Sequence, residues 1–216
     1  MKNVLILGAY GRIARIVEQR LINESDVHLT LVLRNADRLK IIDKSRETVV
    51  EGDVSDYKLV STIMAGQDAV YANLAGRMAL MAKVIVRAMR VNQVKQLIWV
   101  TGSGLYHETP EPFGTWVENT VGHANKEDTR QAARIIESSD LQYTIIRAAY
   151  MTNAHEVDYE LTQKGETFKG TLVSRASIAD LILKIIATPS RYSRVSVGIS
   201  KPGTDNKLPE IVAGYH

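Results

Sequence analysis

The chain has 216 residues, 45% of them hydrophobic, and a net charge of +3 with a pI near 9.0. That length fits one domain of generous size, and its charges are interspersed, without the lysine–arginine blocks that mark a nucleic-acid partner. With no cysteine, disulfide frameworks, thiolate zinc sites and cysteine nucleophiles are excluded, which fits a reducing cytoplasm.

One lysine and a run of four apolar residues, Val4–Leu7, stand before the first glycine, too short for a signal sequence, and no apolar run approaches a membrane span. A soluble intracellular protein is expected. The run ending at Leu7 reads as a buried strand, and Gly8-Ala9-Tyr10-Gly11-Arg12-Ile13-Ala14 leads into a helix over about residues 12–22. Gly8 starts a tight turn, Gly11 lets the backbone approach a ligand, and Ala14 permits close helix–strand packing. Free backbone N–H groups and the positive end of the helix dipole converge there, making a candidate phosphate site. An ordinary glycine-containing turn is the plain alternative.

A second strand over 27–33 ends in Arg34 and Asn35, with Arg38 one helical turn on and a short helix to about residue 42. The third strand, 48–51, ends in Gly52-Asp53-Val54. A helix over 57–64 leads to the fourth strand, 69–73, which runs from Asn73 into Leu74-Ala75-Gly76. Residues 78–92 read as a helix, with Met81 and Met89 on its buried face as core filling. The fifth strand, 96–101, ends in Thr101-Gly102-Ser103, with Tyr106 close behind. One polar helix over about 118–138 precedes a sixth strand, 141–147. A short strand at 170–174, a helix at 176–187 and a last strand at 194–199 follow. The tail from Lys201 to His216 is too rich in proline and glycine for a helix and offers a contact surface, for a monomer or a homodimer.

Strands alternating with helices at this rhythm give a three-layer α/β/α fold, a parallel sheet covered on both faces, with the doubly wound strand order 3-2-1-4-5-6. Residues 1–216 are expected to form a single domain, with 148–175 and 200–216 as substrate-side or peripheral segments. In such a sheet ligands lie beyond the carboxyl ends of the strands. No acidic residue ends the second strand, so Arg34 and Arg38 favour NADP(H) over NAD(H), because guanidinium pairs with a 2′-phosphate in bidentate fashion. Two solvated surface arginines are the alternative. Asp53 either accepts from an adenine amino group, with Val54 packed on the ring, or is a plain helix N-cap. Ala75 and Gly76 are small enough for a ribose and diphosphate to lie close.

Ser103 offers a hydroxyl near a nicotinamide and Tyr106 the nearest phenol; these two are the candidate catalytic residues, although turn chemistry explains Gly-Ser-Gly equally well. Ser103 is not in a nucleophile elbow, since Thr101 and Leu105 occupy the glycine positions. No histidine pair has ligand spacing beside a carboxylate, so no metal is expected. The run from Pro110 to Trp116, with Phe113, either lids a flat substrate or covers the sheet edge.

The chain resembles an atypical short-chain dehydrogenase/reductase of the NmrA-like or NAD(P)H-binding type, which includes biliverdin-IXβ-reductase-like proteins. The matching pieces are Gly8-x-x-Gly11-x-x-Ala14, Arg34, Gly52-Asp53-Val54, Thr101-Gly102-Ser103, Tyr143 to Arg147, and Val173 to Asp180, in order along nearly the whole chain. The resemblance implies a Rossmann-type fold binding NADP(H) or NAD(H), with Arg147, Ala148, Ala149 and Tyr150 near the nicotinamide end. One departure matters. Most of that superfamily uses Tyr-x-x-x-Lys, whose lysine lowers the tyrosine pKa for proton exchange. None of the nine tyrosines here has a lysine four residues later, and Asn125 and Thr129 align with the two positions, with His123 and Lys126 nearby.

Two functions follow. The first is an NADPH-dependent reductase of an aromatic or conjugated small molecule, with a proton from Tyr106, Ser103 or water. The second is a non-catalytic protein that senses NADP(H) and signals through a partner. A sugar-nucleotide epimerase is disfavoured, because too few residues follow the sixth strand for its substrate domain.

Overall fold

The computed structural model describes residues 2–205 and 208–209. Strand β1 (Asn3–Leu7) passes through the glycine turn into α1 (Arg12–Glu24), followed by β2 (His28–Leu33), β3 (Glu47–Glu51), α2 (Tyr57–Met64), β4 (Ala69–Ala72), α3 (Met78–Val91) and β5 (Gln96–Gly102). Next come α4 (Phe113–Val121), α5 (His123–Glu137), β6 (Gln142–Ala148), β7 (Tyr150–Thr152), β8 (Glu160–Gln163), β9 (Leu172–Ser174), α6 (Arg175–Ala187) and β10 (Val195–Ser200). The main sheet runs β3-β2-β1-β4-β5-β6-β10-β8, so the expected order 3-2-1-4-5-6 stands, with β10 and β8 added beyond β6. Its pairings are parallel except that of β8 with β10.

Alternation along β1 explains the layers. Val4 and Ile6 pack into the core beneath α1 and α6, while Leu5 and Leu7 pack into the opposite core beneath α2 and α3. Both faces are buried, so the strand is apolar throughout, and each such side chain contributes about 1.5–3 kcal/mol. Helix α1 presents Ile13, Val17 and Leu21 to the sheet at helical spacing, and Ala14 is fully buried against it. Met81 and Met89 are core residues, as their spacing predicts.

Several expectations are corrected. The helix predicted to reach residue 42 is only a 3-10 turn at Ala36–Arg38. The loop after it is held by Glu47 Oε2, which accepts from the backbone N–H groups of Ile42 and Asp43. The single helix predicted over 118–138 starts earlier and is broken in two at Gly122, which lies at φ +85°, where a residue with a Cβ is disfavoured. Strand β8 was not predicted: it is short and polar, and it forms by pairing with β10 at the sheet edge. The short strand expected near 170–174 exists as β9, which pairs with β7 in a separate two-stranded ribbon beyond β6. Of the proposed contact surface at 201–216, Lys201 donates through its backbone N–H to Leu172, and Thr204 bonds Thr171. Its residues 206–207 and 210–216 lie outside the described residues.

Candidate functional site

The crevice begins at the glycine turn. The backbone N–H groups of Gly8 and Ala9 both donate to the Val32 carbonyl at 3.0 Å, folding the turn onto the end of β2. Gly8 lies at φ +82°, and a Cβ there would strike the Asn73 backbone carbonyl. At Gly11 a Cβ would strike the Asn73 side-chain amide. Both glycines therefore let the end of β4 close on the turn. Gly11 caps α1 without a side-chain hydrogen bond and the first turn holds no acidic residue, so the positive end of the helix dipole meets the crevice without a neighbouring carboxylate on the helix.

Two lobes open on either side of that turn. One, about 510 Å³, is lined by Tyr10, Arg34, Asn35, Arg38, Asp53 and Val54 among others. The Arg38 guanidinium lies 4.1 Å from the centre of the Tyr10 ring. Asp53 Oδ1 accepts from the Ser55 backbone N–H and hydroxyl, each at 2.7 Å; these bonds, helped by the Arg34 and Arg77 charges, hold its carboxyl below the usual range. Asp53 is not the helix cap. That role falls to Asp56, which accepts from the N–H groups of Lys58 and Leu59.

The second lobe, about 800 Å³, is lined by Arg12, Ile13, Thr101, Gly102, Ser103 and the stretch Ala148–Tyr150. Gly11, Asn73, Leu74, Ala75 and Gly76 border both lobes. An aromatic wall closes its far side: Phe113 stacks on Trp116 at 5.8 Å, and Trp116 meets Tyr150 edge-on at 5.4 Å. The run containing Phe113 and Trp116 is thus part of the lobe.

Three of the expected site residues face elsewhere. Tyr106 does not line either lobe: its hydroxyl donates to Glu137 at 2.7 Å, Lys164 Nζ lies 4.3 Å from its ring centre, and burial pushes its phenol pKa up. Arg147 is 0% exposed and forms an interior ion pair with Glu108 at 2.7 Å. It shares a strand face with Ile145, away from the lobe that Ala148 borders. Ala9 is packed in the core, with its N–H taken by Val32.

The second lobe also holds residues that sequence reasoning did not select. Lys126, 2% exposed, donates from Nζ to the Ser103 carbonyl, and the Ser103 N–H donates to Ala148 at 2.8 Å. Burial, with the charge of Arg130, pulls the Lys126 pKa down. Arg130 in turn hydrogen-bonds Glu118 and the Gly104 carbonyl. The signal available in the sequence was Lys126, Arg130 and Ala133 on one helical stripe, charges where an apolar face was due. Asn125 and Thr129 border the lobe as well, as do Met151 and Arg175.

A doubly wound sheet with a glycine turn at its switch point and a crevice across its carboxyl ends defines a Rossmann-type dinucleotide-binding protein. The chain belongs to the NAD(P)H-binding family, whose pattern matches residues 8–189. It is 38% identical to a Rossmann-fold NAD(P)-binding family protein from Shigella flexneri, covering 98% of this chain and 100% of that chain, with a TM-score of 0.82. It is 29% identical to a short-chain dehydrogenase/reductase from Veillonella parvula DSM 2008 in complex with NADP, covering 97% of this chain and 99% of that chain, with a TM-score of 0.91. No curated protein matches the chain. The fold is that of the NAD(P)H-binding oxidoreductases. Among the described residues no helix is long and apolar enough to cross a membrane, and no cluster of three or more metal-ligating side chains occurs.

The donors present fit a dinucleotide. Gly8 and Gly11 let Asn73 pack against the turn, beside a helix N-terminus that has no side-chain cap. Arginines stand where the second strand ends.

Proposed function

We propose that the protein is an NADPH-dependent reductase of a planar, conjugated small molecule. The observation that carries this reading is the division of the crevice: arginines and an aspartate around one lobe, an aromatic wall around the other, and one shared border at Gly11 and Asn73–Gly76. Arg34 and Arg38 would hold a 2′-phosphate, Asp53 and Val54 the adenine, and the amides at the start of α1 the diphosphate. When bound, NADPH supplies the reducing equivalent to a substrate seated against Trp116. The NADP complex of the Veillonella parvula relative supports the choice of cofactor.

Ser103 donates the proton. Its backbone is fastened on both sides, by its own N–H to Ala148 and by Lys126 at its carbonyl, so the turn carrying the hydroxyl is rigid. The nearby ammonium favours negative charge on the oxygen that gives up its proton. Water then restores the hydroxyl.

A second reading, a non-catalytic NADP(H) sensor, is favoured by one observation: Asn125 and Thr129 border the lobe at the positions aligned with the usual tyrosine and lysine. Fluorescence titration with NADPH and NADH, followed by cofactor oxidation with quinones, flavins and linear tetrapyrroles, separates the two. Tight NADPH binding with turnover establishes the reductase. Tight binding with no turnover across the panel establishes the sensor instead, and no binding of either nucleotide overturns both.

A further inference from the structure

The aromatic lobe is lined by three cationic side chains, Arg12, Lys126 and Arg175, and by no aspartate or glutamate. Two of these charges are accounted for. Arg12 opens α1 beside the glycine turn, on the side where a dinucleotide's diphosphate would lie, and Lys126 is turned to the Ser103 carbonyl with Glu108 and Glu118 close enough to favour its charge. Arg175 is different. It is half-buried at the first position of α6, and no carboxylate pairs with it among the described residues. Its Nη1 donates to the Met151 carbonyl at 3.1 Å and to Asn153 Oδ1 at 2.8 Å, both neutral acceptors. Those two bonds fix the guanidinium plane, and its other donors take no partner among the described residues.

Beside it stands a second unmatched donor. The Tyr150 hydroxyl is buried and makes no hydrogen bond among the described residues, although its ring is held edge-on by Trp116. Arg12 and Tyr150 both lie within electrostatic reach of Arg175, and burial and the Arg12 charge lower its pKa, which Tyr150 partly offsets. A buried hydroxyl without a partner and a positioned guanidinium without a counter-charge are both costly arrangements in the free protein. An oxyanion entering the lobe supplies the counter-charge that Arg175 lacks, beside the Tyr150 ring.

We infer that the substrate is a planar conjugated molecule bearing a carboxylate, and that Arg175 is the residue that takes the carboxylate. This inference rests on the reductase reading for the ring system, and adds the charged group. It makes Arg175 a specificity-determining residue rather than a cofactor contact. The aromatic wall receives the ring, and the carboxylate lies at the α6 end of the lobe. The same residue also discriminates against uncharged molecules of the same shape, because they leave the guanidinium unpaired in a partly desolvated site.

The test is a matched pair of probes, anthraquinone-2-carboxylate and 2-(hydroxymethyl)anthraquinone, titrated against the full chain saturated with NADP+, with quenching of tryptophan fluorescence as the readout. The wild-type protein should bind the carboxylate about 10- to 100-fold more tightly, the range expected of a charge-assisted hydrogen bond. The preference should shrink with added salt. Arg175→Gln should abolish it while leaving the hydroxymethyl probe and NADP+ bound as before, and Arg175→Lys should keep part of it. Equal wild-type affinity for the two probes overturns the inference and leaves the reductase reading standing. Loss of NADP+ binding in Arg175→Gln, with its thermal midpoint unchanged, also overturns it, by assigning Arg175 to the cofactor. If NADP+ binds and neither probe does, the aromatic-substrate reading falls and the inference falls with it.

Discussion

Lys126 and Ser103 are joined across the second lobe, the buried ammonium donating to the carbonyl of the residue that carries the candidate hydroxyl. Burial, reinforced by Arg130, holds the Lys126 pKa below its ordinary value of 10.5. The protonated form makes the contact, so kcat should decline on the alkaline side at a pH below that value. In Lys126→Met the alkaline limb should vanish and kcat should fall by about 10²-fold, the lower end of general-acid contributions. A pH–rate profile of NADPH oxidation checks this, and an unchanged profile would detach Lys126 from the chemistry.

Arg34 ends β2 at the rim of the first lobe, and its partner Arg38 is braced on Tyr10. Arg34→Glu should weaken NADPH binding by about 10- to 100-fold and leave NADH within a few-fold, since one charge-assisted contact to phosphate contributes about 1.5–3 kcal/mol. Equal losses for the two nucleotides, in parallel titrations, would sink the 2′-phosphate assignment.

Glu108 is a hub. Its Oε1 accepts from Arg147 at 2.7 Å and from the Gly104 N–H, and its Oε2 accepts from the Tyr106 N–H. Burial alone would raise its pKa, but the hydrogen bond and charge of Arg147 outweigh burial and lower it. A lowered carboxyl contributes stability above its ordinary pKa and loses it as the pH falls through the folded-state value. Urea denaturation at neutral pH should show Glu108→Ala destabilised by about 3–5 kcal/mol, because Arg147 is left buried without its partner. Its stability should also fall less steeply below about pH 4.5 than that of the wild type. Loss of less than about 1 kcal/mol would mean that Arg147 finds another partner.

On the other side of the sheet, Glu18 of α1 is buried against Glu47 of β3. Burial first, then the charge and hydrogen bond of Glu47, push the Glu18 carboxyl up to about 8. The folded protein therefore keeps a proton that the unfolded chain has released, and stability drains away as the pH rises from about 4.5 to about 8. Glu18→Gln fixes the neutral form. Its thermal midpoint should exceed the wild type's at pH 8.5 and match it at pH 4; parallel curves would show that Glu18 stays ionised.

What the sequence disclosed, and what it withheld, divides along physical lines. Strands β1, β2, β4, β5 and β6 are buried on both faces and largely apolar, and that pattern is local, so they could be read from Val4 to Ile146, with β3 as a half-exposed edge. Strand β8 could not, because Glu160–Gln163 has no apolar run and owes its conformation to β10, distant in the chain. Gly122 marks the break between α4 and α5 only once its positive φ is known. At the site, residues following strands were assigned to the crevice by position, which succeeds for Ser103 and Ala149 and fails where side-chain direction decides. Arg147 illustrates this: period-two alternation groups it with Tyr143 and Ile145 on the face away from Ile146 and Ala148, and that period was legible. Tyr106 was not legible in this way, since its partner Glu137 lies 31 residues further on. The aromatic wall likewise depends on a meeting of Trp116 with Tyr150 that no spacing announces.

The edge strand β8 has a consequence for how this scaffold diversifies. Between β6 and α6 only Glu160–Gln163 extends the main sheet, while β7 and β9 pair apart from it. The aromatic wall of the second lobe is built by Tyr150 together with one nine-residue helix, α4, bounded by proline at its start and glycine at its end. That helix touches neither the glycine turn nor the arginines of the first lobe through any of its hydrogen bonds. Phe113 and Val117 fasten it to the core and Glu118 holds Arg130, so its exchangeable positions are the others that face the lobe. Substitutions at Trp116, Thr120 and Val121, with Phe113, Val117 and Glu118 kept, should alter which molecules are accepted while the nucleotide half of the crevice carries on unchanged.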